Sequence, residues 1–190
     1  GIPVGLAAAS ITTIYDAPLH WDDVLLVAVS QSGAGPDVAA VVEAARAAGA
    51  KAVVIIGTGR MFCAGAEMTE FGKPRIPPSL TEVFEQFEAF PGLTVAAIHG
   101  SALGGGLEVA LACHARVALA DANLGLPEVK RGFVPGAGGT QRLPRLIGFA
   151  AAVPIVAEGG EVPAPKALEL GALDVVVADQ LDAAAVAHAE

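Results

Sequence analysis

The chain has 190 residues, of which 54% are hydrophobic and 16% charged, with a mean hydropathy of +0.60. It holds no apolar run near the ~20 residues of a membrane span and no basic stretch leading into an apolar core and a cleavage site, so a soluble globular protein of one domain, or two small ones, is expected. A formal charge of −9 and a pI near 4.8 argue against nonspecific nucleic-acid binding.

In chain order, "VLLVAVS" (24–30) predicts a strand and "SQSGAG" a turn after it. "PDVAAVVEAARAAGA" (36–50) predicts a helix, with Pro36 suited to its first turn and Gly49 to its end. "KAVVIIG" (51–57) predicts a buried strand, which completes a strand–loop–helix–strand unit. A proline-rich loop (72–79) follows. In "LTEVFEQFEAF" (80–90), Leu80, Val83, Phe84, Phe87 and Phe90 recur at helical spacing. Next come a strand over 93–100, a helix over 104–115 and a strand over 116–122, and the tail alternates short helices and strands. Such alternation indicates an α/β domain. The strands at 51–57, 93–100 and 116–122 are expected in one sheet system, with the helices 80–90 and 104–115 packed outside it.

Two cysteines, Cys63 and Cys113, have neither metal-ligand spacing nor a disulfide framework, and buried thiols in a reducing compartment are expected. His99 and His114 lie in apolar stretches and read as core-edge residues. Arg60, Lys73 and Arg75 form the one local basic cluster, either an anion site or ordinary surface charge.

Chemistry concentrates where strands turn into helices. Gly104–Gly106 sit between the strand ending near Gly100 and the next helix, and Glu108 follows one turn in. Glycines permit unusual dihedrals and close approach of a ligand to the backbone. The first helical N–H groups lack internal partners, and the helix dipole adds positive character there, so a developing oxyanion can be stabilised at such a turn. "CAGAEM" (63–68) has the same ingredients, and one amide from each turn would suffice to clamp a carbonyl oxygen. A third loop, 126–143, supplies Glu128, and two carboxylates facing an activated carbonyl make an acid–base pair. The plainer alternative is that the glycines form ordinary turns and Glu108 complements a dipole. Neither glycine run has nucleotide-binding spacing.

On "KAVVIIGTGRMFCAGAEMTEF", "VAAIHGSALGGGLEVALACHARVALADANLGLPEVKRGFVPGAGGTQRLPRLIG" and "ALELGALDVVV", residues 51–190 resemble the crotonase, or enoyl-CoA hydratase/isomerase, superfamily. "EFGKPRIPPS" further resembles the hydratase half of bifunctional hydratase/3-hydroxyacyl-CoA dehydrogenases. The resemblance implies a ββα superhelix core and an acyl-CoA thioester substrate, with no cofactor beyond the coenzyme A of the substrate. It places an oxyanion hole at the amides of Ala66 and Gly105 and the two hydratase glutamates at Glu108 and Glu128. It sets Gly136 near the catalytic water and Ala64 at the coenzyme A adenine. Enoyl-CoA hydration in fatty-acid oxidation is the function it implies, and it leaves a homo-oligomer or a dehydrogenase partner open; the cytoplasmic setting is the expectation from the two thiols.

Some positions depart from the family pattern. Glu67 stands where Asp is usual, Gly160 replaces an Arg, and Pro154 is expected to interrupt a helix. The family's C-terminal helices are missing from this stretch, so a truncated fold is expected. Residues 1–50 instead resemble a sugar isomerase (SIS) domain, whose phosphate loop matches "SQSGAGPD" through Ser30 and Ser32. The expected organisation is therefore a SIS-like strand–loop–helix segment (1–50) packed on a crotonase-like acyl-CoA domain (51–190). A sugar-phosphate-binding module and a folded but inactive hybrid remain the alternatives to a hydratase.

Overall fold

The computed structural model describes residues 4–8, 25–30, 36–47, 49–65 and 79–189. Nine strands and seven α-helices are present among them. The main sheet has six parallel strands in the order β1 (Val4–Ala8), β2 (Leu25–Ser30), β3 (Ala52–Gly57), β4 (Leu93–Ile98), β6 (Ala115–Leu119) and β9 (Val175–Val177). The three strands expected to share a sheet do so as direct neighbours, β3 on β4 and β4 on β6. The unit β2, α1 (Pro36–Ala47) and β3 has the expected order, and β2 pairs in parallel with β3. The strand β1 had no counterpart in the sequence reading.

The side chains of β3 and β4 alternate between two cores, as the pleat requires. Val53, Ile55, Ala96 and Ile98 point to the larger one, and Ala52, Val54, Val95 and Ala97 to the other. The larger core takes α2 (Leu80–Glu88), whose Val83, Phe84 and Phe87 are buried while Thr81, Glu82, Glu85 and Glu88 face water. Ser79 and Glu82 close a reciprocal capping box on this helix. The opposite face is covered by α7 (Leu181–Ala189), through Leu181 and Ala185.

Three expectations are corrected. The run 93–100 is not one strand: β4 ends at Ile98, Gly100 turns the chain with φ +60°, and Ser101–Leu103 forms β5 in a second sheet, ordered β5–β7–β8. Strands β7 (Asn123–Gly125) and β8 (Glu161–Pro163) complete that sheet. The helix expected over 104–115 is shorter, α3 (Gly105–Ala112), and it does not pack outside: every residue from Gly106 to Ala112 is buried. Its composition explains this, because a helix that is apolar all round has no face to give to water. Nor does Pro154 interrupt its helix. It lies within α5 (Phe149–Ala157), as Pro144 lies within α4 (Gly139–Ile147). No helix among the described residues is long and apolar enough to cross a membrane.

One buried charge ties the edge strand β9 to the sheet. Arg116 donates from Nε to Ala172 O (3.0 Å), from Nη1 to Cys113 O (2.9 Å) and from Nη2 to Asp174 Oδ2 (2.9 Å). Asp174 is partly exposed and also accepts the Arg116 backbone N–H at 2.8 Å. Arg116→Met keeps the stem and strands two carbonyls. The loss is on the order of 2 kcal/mol, or a melting temperature lower by about 4–8 °C. A thermal melt equal to the parent's would show that these bonds are replaceable.

Candidate active site

The site forms where β5 feeds α3. Residues 62–65 run beside β5: Phe62 N–H donates to His99 O (2.9 Å), Cys63 N–H to Ser101 O (3.2 Å) and Leu103 N–H to Cys63 O (2.9 Å). This ladder, with a parallel bridge between Cys63 and Ala102, brings the two glycine turns together. Gly65 has φ +102°, and a Cβ placed on it would lie 3.2 Å from the Gly105 amide nitrogen. The chain therefore passes directly over the start of α3, one residue before Ala66. Ala66 itself lies outside the described residues, as do Glu67, Lys73, Arg75 and Ser32; Ala64 is exposed, and so is Arg60. Ser30 is the last residue of β2.

Gly104 caps α3 with φ +55° and ψ −129°, a conformation that L side chains rarely adopt. Leaving out a Cβ there also makes room for a carboxylate, since a Cβ on Gly104 would lie 3.0 Å from Glu128 Oε1. Glu128 is held by a short 3-10 helix, Pro127–Arg131, rather than the loop expected from sequence. Its Oε2 is buried and accepts no hydrogen bond from the described residues. Burial is the main reason its carboxyl pKa is raised, and the charge of Glu108 adds to the rise, while Glu128's own amide and Arg131 oppose it. The two carboxylates thus feel one another across the start of α3.

Glu108 is in the first turn of α3 and only 3% exposed. A carboxylate so buried needs charge-assisted partners. It has two: Oε1 accepts from the amides of Ala137 (2.9 Å) and Gly139 (2.8 Å). Gly139 opens α4, so the carboxylate also sits at the positive end of that helix. The intervening Gly138 has φ +104°, which turns both amides toward the same oxygen. The loop carries Gly136, which is exposed, with Val134 O at 4.0 Å from a Cβ built on it.

The structure therefore gathers Gly105, Glu108 and Glu128 around one helix start, with Ala64 and Gly136 on the chain segments that flank it. Sequence reasoning missed the amides of Ala137 and Gly139, and also Arg142, which donates to Ala137 O at 2.7 Å. A glycine pair followed by a helix was legible there, but its acceptor 29 and 31 residues upstream was not. His114 Nδ1 accepts the Thr94 N–H and so belongs to the strand-edge structure, as expected of a core-edge residue. Among the described residues no cluster of three or more His, Cys, Asp or Glu is placed to hold a metal ion.

A family model described as enoyl-CoA hydratase/isomerase matches residues 34–190. A probable enoyl-CoA hydratase of Bacillus subtilis is 44% identical over 142 residues, covering 71% of this chain and 55% of that protein. The peroxisomal bifunctional enzyme of Danio rerio is 52% identical over 125 residues, covering 66% of this chain and 17% of its own length. The crystal structure of an enoyl-CoA hydratase from Bacillus anthracis superposes with a TM-score of 0.72 at 35% identity, over 82% of this chain and 65% of that one. The chain thus spans about half the length of the Bacillus subtilis relative and less than a fifth of the zebrafish one.

Proposed function

The chain belongs to the enoyl-CoA hydratase/isomerase family, and from that premise we propose that it adds water across the 2,3 double bond of an unsaturated acyl-CoA thioester, in fatty-acid oxidation. The observation that carries this reading is the pair of carboxylates near the start of α3, one pinned by two amides and the other with a buried Oε2 that no described residue donates to.

The thioester carbonyl oxygen receives the amides of Gly105 and Ala66 as negative charge develops on it. Glu108 gives Oε1 to the two loop amides and keeps Oε2 to accept a hydrogen bond from water. Glu128, whose carboxyl pKa is raised by burial, transfers its proton to C2 as the water oxygen bonds C3. The water's own proton then restores Glu128, so one enoyl thioester and one water become a 3-hydroxyacyl thioester and the protein is unchanged. Ala64 is assigned to the adenine of coenzyme A and Gly136 to the edge of the water site. No cofactor is needed beyond the coenzyme A of the substrate.

Three finer readings accompany this one. The domain division falls near residue 50, with β2 and α1 forming a SIS-like element that β3 continues. Titration with a hexose phosphate tests the SIS-like reading, and an unchanged spectrum rejects it. A dehydrogenase partner is suggested by the relatives in which the matching part is a small share of a bifunctional enzyme. The buried free thiol of Cys113 favours a reducing, cytoplasmic setting.

The direct test is loss of the enoyl-thioester absorbance when purified protein meets an unsaturated acyl-CoA; no loss at any pH overturns the reading. The pH profile adds a signed check. Proton donation requires neutral Glu128, so kcat/KM falls as pH rises through its elevated pKa. In Glu108→Gln the like charge is gone, and the residual activity should lose that limb at lower pH than the parent does. A limb that stays in place would mean that the two carboxylates do not interact.

A further inference from the structure

We infer that Arg142, steadied by Glu88, is the positioning residue that orients Glu108 for its water. The inference rests on the hydratase reading for its rate effects and on the structure alone for its local effects. Arg142 is one turn into α4, and its guanidinium makes three contacts, two with α2 and one with the 137–139 segment. Nε donates to Glu88 Oε1 of α2 at 2.7 Å, Nη1 donates to Ala137 O at 2.7 Å, and the guanidinium carbon lies 5.7 Å from the centre of the Phe84 ring. The side chain is largely buried, while Glu88 is about half exposed. The ion pair holds the Glu88 carboxyl below the usual carboxylate range, chiefly through the hydrogen bond from Arg142.

The position of the second contact gives the network its meaning. The Ala137 carbonyl belongs to the peptide unit between the two amides that hold Glu108 Oε1. Arg142 grips that unit by its carbonyl oxygen. Gly138 has a φ of +104° that favours glycine, and a Cβ there would displace the Arg142 guanidinium, whose Nη1 it would meet. The backbone N–H groups of Gln141 and Arg142 meanwhile both donate to Gly138 O, at 2.9 and 2.8 Å. The 137–139 segment is thus held by its own helix and by a side chain anchored on a separate one. Freed from Arg142, the peptide can rotate, and a sub-ångström swing of two donors re-aims the carboxylate they hold. Misplacement of that order commonly costs ~10²-fold in rate.

The test uses Arg142→Gln, Arg142→Lys and Glu88→Gln, with Lys166→Gln as control because it removes an exposed ion pair elsewhere. Arg142→Gln should lower kcat about 10- to 100-fold, with KM within about threefold of the parent. Arg142→Lys should recover little, because a lysine lacks the fork that reaches Glu88 and Ala137 together. Glu88→Gln should lose less than Arg142→Gln, and the double variant should be no worse than Arg142→Gln alone. Amide hydrogen exchange supplies a readout free of activity. In Arg142→Gln the Ala137 and Gly139 amides should exchange faster while those of β3 and β4 keep the parental rate. Parental kcat, a change confined to KM, or faster exchange throughout the sheet would each overturn the inference. If the unmodified protein hydrates nothing, the hydratase reading falls on its own. The inference is then decided by the exchange rates, and unchanged Ala137 and Gly139 amides overturn it.

Discussion

Replacing Glu128 by Gln should abolish most of the proposed hydration, with kcat lower by ~10²–10⁴-fold, the range expected for loss of a positioned acid or base. The argument starts from the environment. Glu128 Oε2 is buried without a partner, and burial is the first cause of the raised carboxyl pKa. The site therefore favours the neutral acid more than water does, and a neutral amide of the same shape fits the same space. Acyl-CoA binding should survive, since the amide removes a transferable proton and little else. The sign for stability follows. A carboxyl whose folded pKa is raised contributes stability that is complete below its unfolded pKa, ~4.3, and lost as pH rises through the folded value. Glu128→Gln should thus match the parent's melting temperature near pH 4 and equal or exceed it at pH 8. Glu108→Gln should behave differently. Its amide oxygen can still accept from Ala137 and Gly139, which preserves the fold, but its NH2 group presents donors where water needs an acceptor. Stopped assays with matched ligand titrations check both. A Glu128→Gln protein with parental kcat would end the assignment of proton donation to Glu128.

Gly106→Ala costs about 3 kcal/mol, the upper part of the usual range for overpacking, and lowers the melting temperature by about 6–12 °C. Gly106 is buried in α3 with its Cα against the 62–65 segment. A methyl there would lie 2.7 Å from Cys63 Cβ and 2.8 Å from Cys63 C, and nearer still to the carbonyl oxygen. None of these is the free end of a flexible side chain. Cys63 is tied to β5 by the ladder through Ser101 and Leu103, so relief comes only from moving the helix away from that segment. Such a shift separates Gly65 from the Gly105 amide, so activity should drop even in the folded fraction. Gly49→Ala is the matched control. Gly49 has φ +76° with nothing within 4 Å of a built Cβ, so only backbone strain of about 1 kcal/mol applies. Calorimetry and the enoyl-thioester assay decide it. A Gly106→Ala protein that melts with the parent would mean that α3 is not wedged against Cys63.

Local pattern carried much of the architecture. The apolar runs at 51–57 and 93–100 read as buried strands, and β3 and the six residues of β4 bear this out because both of their faces are covered. The repeat Leu80, Val83, Phe84, Phe87 read as a helix with one wet side, because amphipathic spacing is a property of neighbours. The glycine turns and the two glutamates were legible too, the turns from strand-to-helix chemistry and the pairing from resemblance.

The rest was decided by chain closure. Strands β5, β7 and β8 are three residues each, too short for a period of two to stand out, and they exist because the chain beyond Gly100 finds partners at 123–125 and 161–163. The run 104–115 carries the same apolar signal whether a helix lies on a core or inside one, and only the layers around α3 buried it. A sequence places Glu108 and Glu128 twenty residues apart without saying which of them is pinned and which is left bare. Long-range packing made that distinction. The 137–139 amides return to Glu108 from 29 and 31 residues away, and Arg142 reaches Glu88 across 54, while Glu128 is turned over Gly104 with no donor for Oε2. Residue type supplies a carboxyl group, and the donors and burial that set its protonation come from segments distant in the chain.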